Sequence, residues 1–161
     1  RNTGSNVLYS GTVGAAAEGM LYGIPSIAVS LAVRVDTPNI DFFTAAAFAA
    51  RLARQVLARG LPEGVILNMN VPHVPPESIQ GVVVSRMSRS VFIDRFHQTR
   101  LDDGRLAFRN TGDWMRFDET CEDNDDLALA RGQVSITPLR FDLTDHAMSR
   151  QLAQWLEEWE S

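Results

Sequence analysis

The sequence predicts an α/β fold, a sheet with helices packed on its faces. Three observations carry that expectation. Helical and strand-like segments alternate from residue 13 to residue 87. The strand-like segments are short continuous apolar runs, the pattern of strands covered on both sides rather than on one. The connections between them are short, as in βαβ units. A chain of 161 residues has room for one compact domain and not for two full ones.

Taken in order, Val7-Leu8-Tyr9 is a short apolar run that stops at Ser10-Gly11-Thr12. Val13, Ala16, Ala17, Met20 and Leu21 then recur at helical spacing, and Gly23 and Pro25 close that helix. Residues 26–31 are short, β-branched and bounded by Pro25 and a polar loop, so they predict a buried strand. Asp36, Thr37 and Pro38 form a start signal for a helix over 39–59. Phe43, Ala46, Ala47, Ala50, Ala53, Val56 and Leu57 are its expected apolar stripe, Arg51, Arg54 and Arg59 its wet side, and Gly60 and Pro62 its end. Residues 65–72 and 81–87 predict two further buried strands.

The helical period then lapses. Over about 88–120, Phe92, Ile93 and Phe96 lead to Asp102-Asp103-Gly104, a hairpin turn signal, and Leu106-Ala107-Phe108 follow. This predicts a β-hairpin excursion from the main sheet, whose apolar positions need a partner surface. Asn124-Asp125-Asp126 caps a short helix over 127–131 that ends at Gly132, and residues 134–139 predict a strand. A final helix over about 146–158 carries Met148, Leu152, Trp155, Leu156 and Trp159 on one stripe, expected to join the core or to reach a partner subunit.

Composition narrows the function. Hydrophobic residues are 45% and charged residues 22%, which fits a packed core. A net charge of −5 and a pI of about 5.1 argue against a duplex nucleic-acid binder. All 15 cationic residues are Arg. The one cysteine, Cys121, excludes an intrachain disulfide framework and a cysteine-built zinc site. No apolar run reaches the roughly 20 residues that span a bilayer. No membrane partner is expected, and with no visible signal peptide the expected location is the cytoplasm. The chain opens on Arg1 in a loop already in progress, which suggests the back portion of a longer protein.

The chemistry points to the first dozen residues. A Gly- and Asn-rich loop and then Ser10-Gly11-Thr12 open directly onto a helix. Free N–H groups at a helix start, with the positive end of its dipole, make an anion site. Gly11 permits close approach, Ser10 and Thr12 add hydroxyls, and Asn2 can supply an amide; the plain alternative is an ordinary helix cap. There is no P-loop lysine and no dinucleotide glycine spacing. His73, His97 and His146 are scattered and read as structural or surface groups. Glu119, Glu122, Asp123, Asp125 and Asp126 read as a solvated loop with Asp125 as a helix cap. Asn68 and Asn70 share a strand face and read as anchors for a neighbouring loop rather than as catalytic groups.

Several ordered segments carry a resemblance. Val7-Leu8-Tyr9-Ser10-Gly11-Thr12-Val13, Ala15-Ala16-Ala17-Glu18-Gly19, residues 24–31, Leu67-Asn68-Met69-Asn70-Val71-Pro72, and Asn124-Asp125 followed by residues 132–139 and Asp142-Leu143-Thr144 resemble the SurE family. Its members are stationary-phase survival proteins, metal-dependent nucleoside monophosphate phosphatases. Gln133 stands where Tyr is usual and Asn124 where Thr is usual. The resemblance implies a three-layer Rossmann-like sheet with helices on both faces, an extended hairpin excursion and a C-terminal helix exchanged between subunits. On this reading residues 1–161 are the C-terminal portion of a single domain.

The resemblance further implies phosphate- or substrate-binding roles for Asn2, Ser10, Gly11 and Thr12. It implies one divalent cation (Mg or Mn) per subunit, with its ligands ahead of Arg1, and a homodimer or tetramer built through the hairpin and the C-terminal helix. The implied reaction is hydrolysis of nucleoside 5'-monophosphates, or 3'-monophosphates, with metal-bound hydroxide or an aspartate attacking. The rival reading is a non-catalytic phospho-ligand-binding or assembly module; a third is a sugar-phosphate-binding α/β protein.

Overall fold

The computed structural model describes residues 1–33, 38–115, 121–157 and 159. Its centre is a four-stranded mixed sheet of β1 (Ile27–Ala32), β2 (Val65–Pro72), β8 (Val134–Arg140) and β3 (Val82–Val84), in the order β1-β2-β8-β3. β1 and β2 run parallel, with Ala28 beside Asn68 and Ser30 beside Asn70. β8 runs antiparallel to β2, with Asn68 opposite Thr137 and Asn70 opposite Ser135. β3 runs parallel to β8.

Helices cover both faces. Helix α1 (Gly11–Leu21) packs Val13 and Ala16 onto Ala28 and Ile66, with Val7 alongside. Helix α2 (Phe43–Arg59) lies on the opposite face, where Ala45, Leu31, Met69, Val71 and Val134 form a second core. The strand period of two separates the sets, since Ile66 and Met69 differ by an odd number of positions. The α/β class and its layers are as the sequence predicts.

Several details differ. The buried stripe of α2 runs through Ala45 and Val56, with Phe48, Ala49 and Leu52 half-buried beside them. Phe43, Ala46, Ala47, Ala50 and Leu57, expected inside, are exposed. The alanine-rich sequence offers several helical phases of similar hydrophobicity, and the larger side chains Phe48 and Leu52 set the one adopted. The helix starts at Phe43, whose N–H is held by Asp41 Oδ1 at 2.8 Å, rather than at Asn39. Asp36 and Thr37 lie outside the described residues. Leu21, expected on the buried stripe of α1, is exposed at the helix end. β3 is shorter than predicted, and Val82 and Val84 are exposed because it sits at the sheet's edge.

The excursion is present. β5 (Phe96–Arg100) and β6 (Leu106–Asn110) pair antiparallel, and β4 (Val91–Ile93) pairs β7 (Asp113–Met115) at the base. Gly104 has φ +86°, the left-handed conformation its turn requires. Phe96 and Phe108 are each 63% exposed. Residues 116–120 lie outside the described set, Glu119 among them. Helix α3 (Asp125–Ala130) precedes β8. Helix α4 (His146–Glu157) closes the described chain with no buried residue. Trp155 and Leu152, expected to pack in a core, are 54% and 44% exposed, and Trp159 beyond the helix is 80% exposed. Among the described residues that stripe packs into no core.

Candidate phosphate-binding turn

The turn at the head of α1 is a helix cap and an open one. Ser10 is the N-cap, with its Oγ accepting the Val13 N–H at 3.1 Å, and its carbonyl accepts the Gly14 N–H at 2.8 Å. The first helical turn supplies no carbonyl to Gly11 and Thr12, so their N–H groups face outward. Gly11 and Thr12 are exposed. A Cβ built on Gly11 would meet nothing within 4 Å, so the protein itself does not require glycine there. Capping does not exhaust Ser10, because a hydroxyl that accepts one N–H still has its own O–H to donate.

Asn2 is fixed by β2. Its N–H donates to Asn70 Oδ1 at 2.7 Å, and its carbonyl accepts from Asn68 Nδ2 at 2.7 Å and Asn70 Nδ2 at 3.1 Å. The expectation that Asn68 and Asn70 anchor a loop is met by these bonds. Two buried amide atoms have no partner, Asn2 Nδ2 and Asn68 Oδ1. Buried polar atoms are rarely left so, and each is free to pair with a water or a ligand atom. On the same sheet face, Ser85 Oγ lies 2.6 Å from Ser135 Oγ and 2.8 Å from Thr137 Oγ1, so a buried polar strip runs beneath α1.

The loop after Asn2 is held by an acidic pair read from the sequence as solvated. The cap of α3 is Asn124, whose side chain accepts the Leu127 N–H, and not Asp125. Asp125 is 0% exposed and accepts the N–H groups of Gly4 at 3.1 Å and Ser88 at 3.0 Å. Asp126 accepts the hydroxyls of Thr3 at 2.8 Å, Ser88 at 2.7 Å and Ser90, with Arg1 at 3.7 Å. Burial pushes the Asp125 carboxyl above its ordinary range, against the pull of the Ser88 and Gly4 N–H groups. Burial pushes Asp126 the same way, but the Ser90, Ser88 and Thr3 hydroxyls and Arg1 outweigh it and hold it below its ordinary value. Glu122 and Asp123 are exposed beside Arg131 and Arg86, as expected of a solvated run. The signal that separates the two halves is the Asn-Asp-Asp step onto an apolar helix, where an N-cap turns the next residues inward.

His73 and His97 are exposed, and exposed His146 pairs with Asp142 at 3.0 Å. A cavity of about 520 Å³ flanks the turn, lined by Ser10, Val13, Thr137, Leu139 and Phe141 among others and mostly apolar. Among the described residues no group of three or more His, Cys, Asp and Glu side chains gathers as a metal site. Among them also no helix is long and apolar enough to cross a membrane.

The chain has counterparts among known proteins. The family profile described as "Survival protein SurE" matches residues 1–94. The chain is 42% identical over 156 residues to the "5'-nucleotidase SurE" of Moorella thermoacetica, covering 96% of this chain and 58% of that protein. It is 40% identical over 154 residues to the "5'-nucleotidase SurE" of Symbiobacterium thermophilum, covering 96% and 59%. The crystal structure of the SurE protein from Aquifex aeolicus superposes with a TM-score of 0.77 at 33% identity, covering 98% of this chain and 61% of that one. The chain thus spans about three fifths of the length of the relatives it matches. With the profile match, the close relatives and the shared fold in agreement, the chain belongs to the SurE family.

Proposed function

We propose that the protein carrying this chain hydrolyses nucleoside 5'-monophosphates to nucleoside and phosphate, with 3'-monophosphates as a further substrate. The observation that carries the reading is the open helix start at Ser10, Gly11 and Thr12; the unpartnered amide of Asn2, eight residues before Ser10, adds a further donor to it. The relatives named 5'-nucleotidase support the substrate class. The apolar cavity beside Ser10 supports a substrate with an organic group behind its phosphate. In this reading residues 1–161 serve as the C-terminal portion of a single α/β domain.

The chain's own residues bind and orient. The Gly11 and Thr12 N–H groups and the Ser10 and Thr12 hydroxyls donate to non-bridging phosphate oxygens. Their fixed dipoles gain strength as charge builds on those oxygens in the transition state. Asn2 Nδ2 is a further donor, aimed by the grip of Asn68 and Asn70 on its backbone.

A divalent cation, Mg or Mn, one per subunit, is part of the proposal. The residues present do not make a complete site for it. Among the described residues the unpartnered amide atoms are neutral and no carboxylate cluster gathers, whereas a hard divalent ion takes a carboxylate-rich oxygen set. No step is therefore routed through the ion, and its ligands are placed in the part of the relatives' length that the chain does not span. Self-association as a homodimer or tetramer is proposed through the hairpin and an exchanged α4, both of which expose apolar side chains. A cytoplasmic location belongs to the same proposal.

The test is an assay of the full-length protein on nucleoside monophosphates with and without chelator. Phosphate release that chelator abolishes and Mg or Mn restores supports the reading. Metal-independent release, or none from any phosphomonoester, overturns it. Phosphate binding without turnover would leave the non-catalytic module.

A further inference from the structure

The buried pair Asp125 and Asp126 joins two parts of the molecule that sequence keeps far apart. On one side is the loop of residues 2–5. Thr3 Oγ1 and the Gly4 N–H donate to Asp126 and Asp125 across separations of 123 and 121 residues. On the other side is the base of the hairpin, where the Ser88 N–H donates to Asp125 and the Ser88 and Ser90 hydroxyls donate to Asp126. Each carboxylate therefore accepts from both sides at once.

The two sides also touch directly. The Ser5 N–H donates to the Ser90 carbonyl at 3.1 Å. Gly4 has φ +52°, and a Cβ there would come within 2.8 Å of the Ser90 carbonyl oxygen and 2.7 Å of Ser88 Oγ. Thr3, Ser88, Ser90, Asp125 and Asp126 are all buried. A satisfied network of this kind, in a low-dielectric interior, has few alternative arrangements, and breaking one link leaves buried groups unpaired.

We infer that Asp125 and Asp126 are positioning residues that tie the hairpin base to the loop carrying Asn2, so that the hairpin and the phosphate-binding turn move as one unit. Whatever seats the hairpin, on this view, also sets Asn2 and the run through the 3-10 turn Gly4–Tyr9 to Ser10. Neither carboxylate touches the phosphate; each acts through the backbone and hydroxyls it holds. The mechanical tie stands on the hydrogen bonds alone, whereas its consequence for phosphate rests on the proposed function.

Two variants of the full-length protein test it. Asp126→Asn keeps the side-chain volume but turns one acceptor oxygen into a donor. Thr3→Val removes one loop-side link, the hydroxyl bond to Asp126, and serves should Asp126→Asn fold poorly. Amide hydrogen exchange is read well below each variant's melting temperature, together with kcat and KM on a nucleoside monophosphate. The tie predicts that Thr3→Val speeds exchange at least tenfold at Gly4 and Ser5 and also across the network at Ser88. It further predicts a KM for nucleotide raised at least tenfold in the folded variants.

Faster exchange confined to residues 3–5 overturns the tie, as does a lowered melting temperature with unchanged KM and unchanged exchange at Ser88. Coupled exchange in a protein whose wild type releases no phosphate keeps the tie and overturns the proposed function instead.

Discussion

Gly11 and Thr12 carry the sharpest consequences at the level of single residues. Because a Cβ at Gly11 meets open space, Gly11→Ala should leave the fold intact. Alanine at a helix position costs less than glycine by up to about 1 kcal/mol, so the melting temperature should hold or rise slightly. The same methyl stands where a phosphate oxygen must approach, and turnover should fall at least tenfold. Full activity with an unchanged melting temperature would remove Gly11 from the site. Thr12→Val removes a hydroxyl donor and keeps the shape; a loss of about tenfold or more in kcat with an unchanged melting temperature is expected. Gly4 is the opposite case. Gly4→Ala drives a methyl into the Ser90 carbonyl at positive φ, so a loss of about 1–3 kcal/mol of stability should appear in chemical denaturation.

The elements show what a sequence discloses and what it withholds. β2 was legible to the residue and the head of α1 to within two, since Gly11 and Thr12, read as the turn before the helix, form its first two positions. The phase of α2 was not, since its many alanines dilute the periodic signal until Phe48 and Leu52 decide it. The exposure of β3 was not legible either, because edge or centre is a property of the assembled sheet. At the site, Ser10, Gly11 and Thr12 announce themselves as local chemistry. Asp125 and Asp126 do not, because their hydrogen-bond partners lie between 36 and 123 residues earlier in the chain. The entry to α4 gives a prediction of its own. The Thr144 hydroxyl and N–H and the His146 ring hold the Asp142 carboxyl down to about 2. A group depressed in this way supports the folded helix start fully above its ordinary value of 3.8, and the support is lost as pH falls toward 2. An NMR titration of the Asp142 carboxyl should show a midpoint of about 2; a midpoint near 3.8 would deny the brace.

Across the whole molecule, two features of the fold converge on one end of the sheet. The parallel strands β1 and β2 place Asn68 and Asn70 under the loop of Asn2, and α1 begins beside them. The hairpin and α4 leave their apolar side chains exposed. If the hairpin joins subunits, deleting residues 92–108 should lower the particle mass in light scattering; an unchanged mass would count against that role. Binding of a phosphoryl group at the head of α1 can be followed through the backbone amide resonances during titration with a nucleoside monophosphate. The Gly11 and Thr12 amides should shift most and saturate together with the Asn2 side-chain amide. Saturable shifts elsewhere that leave these three groups unmoved would contradict that binding.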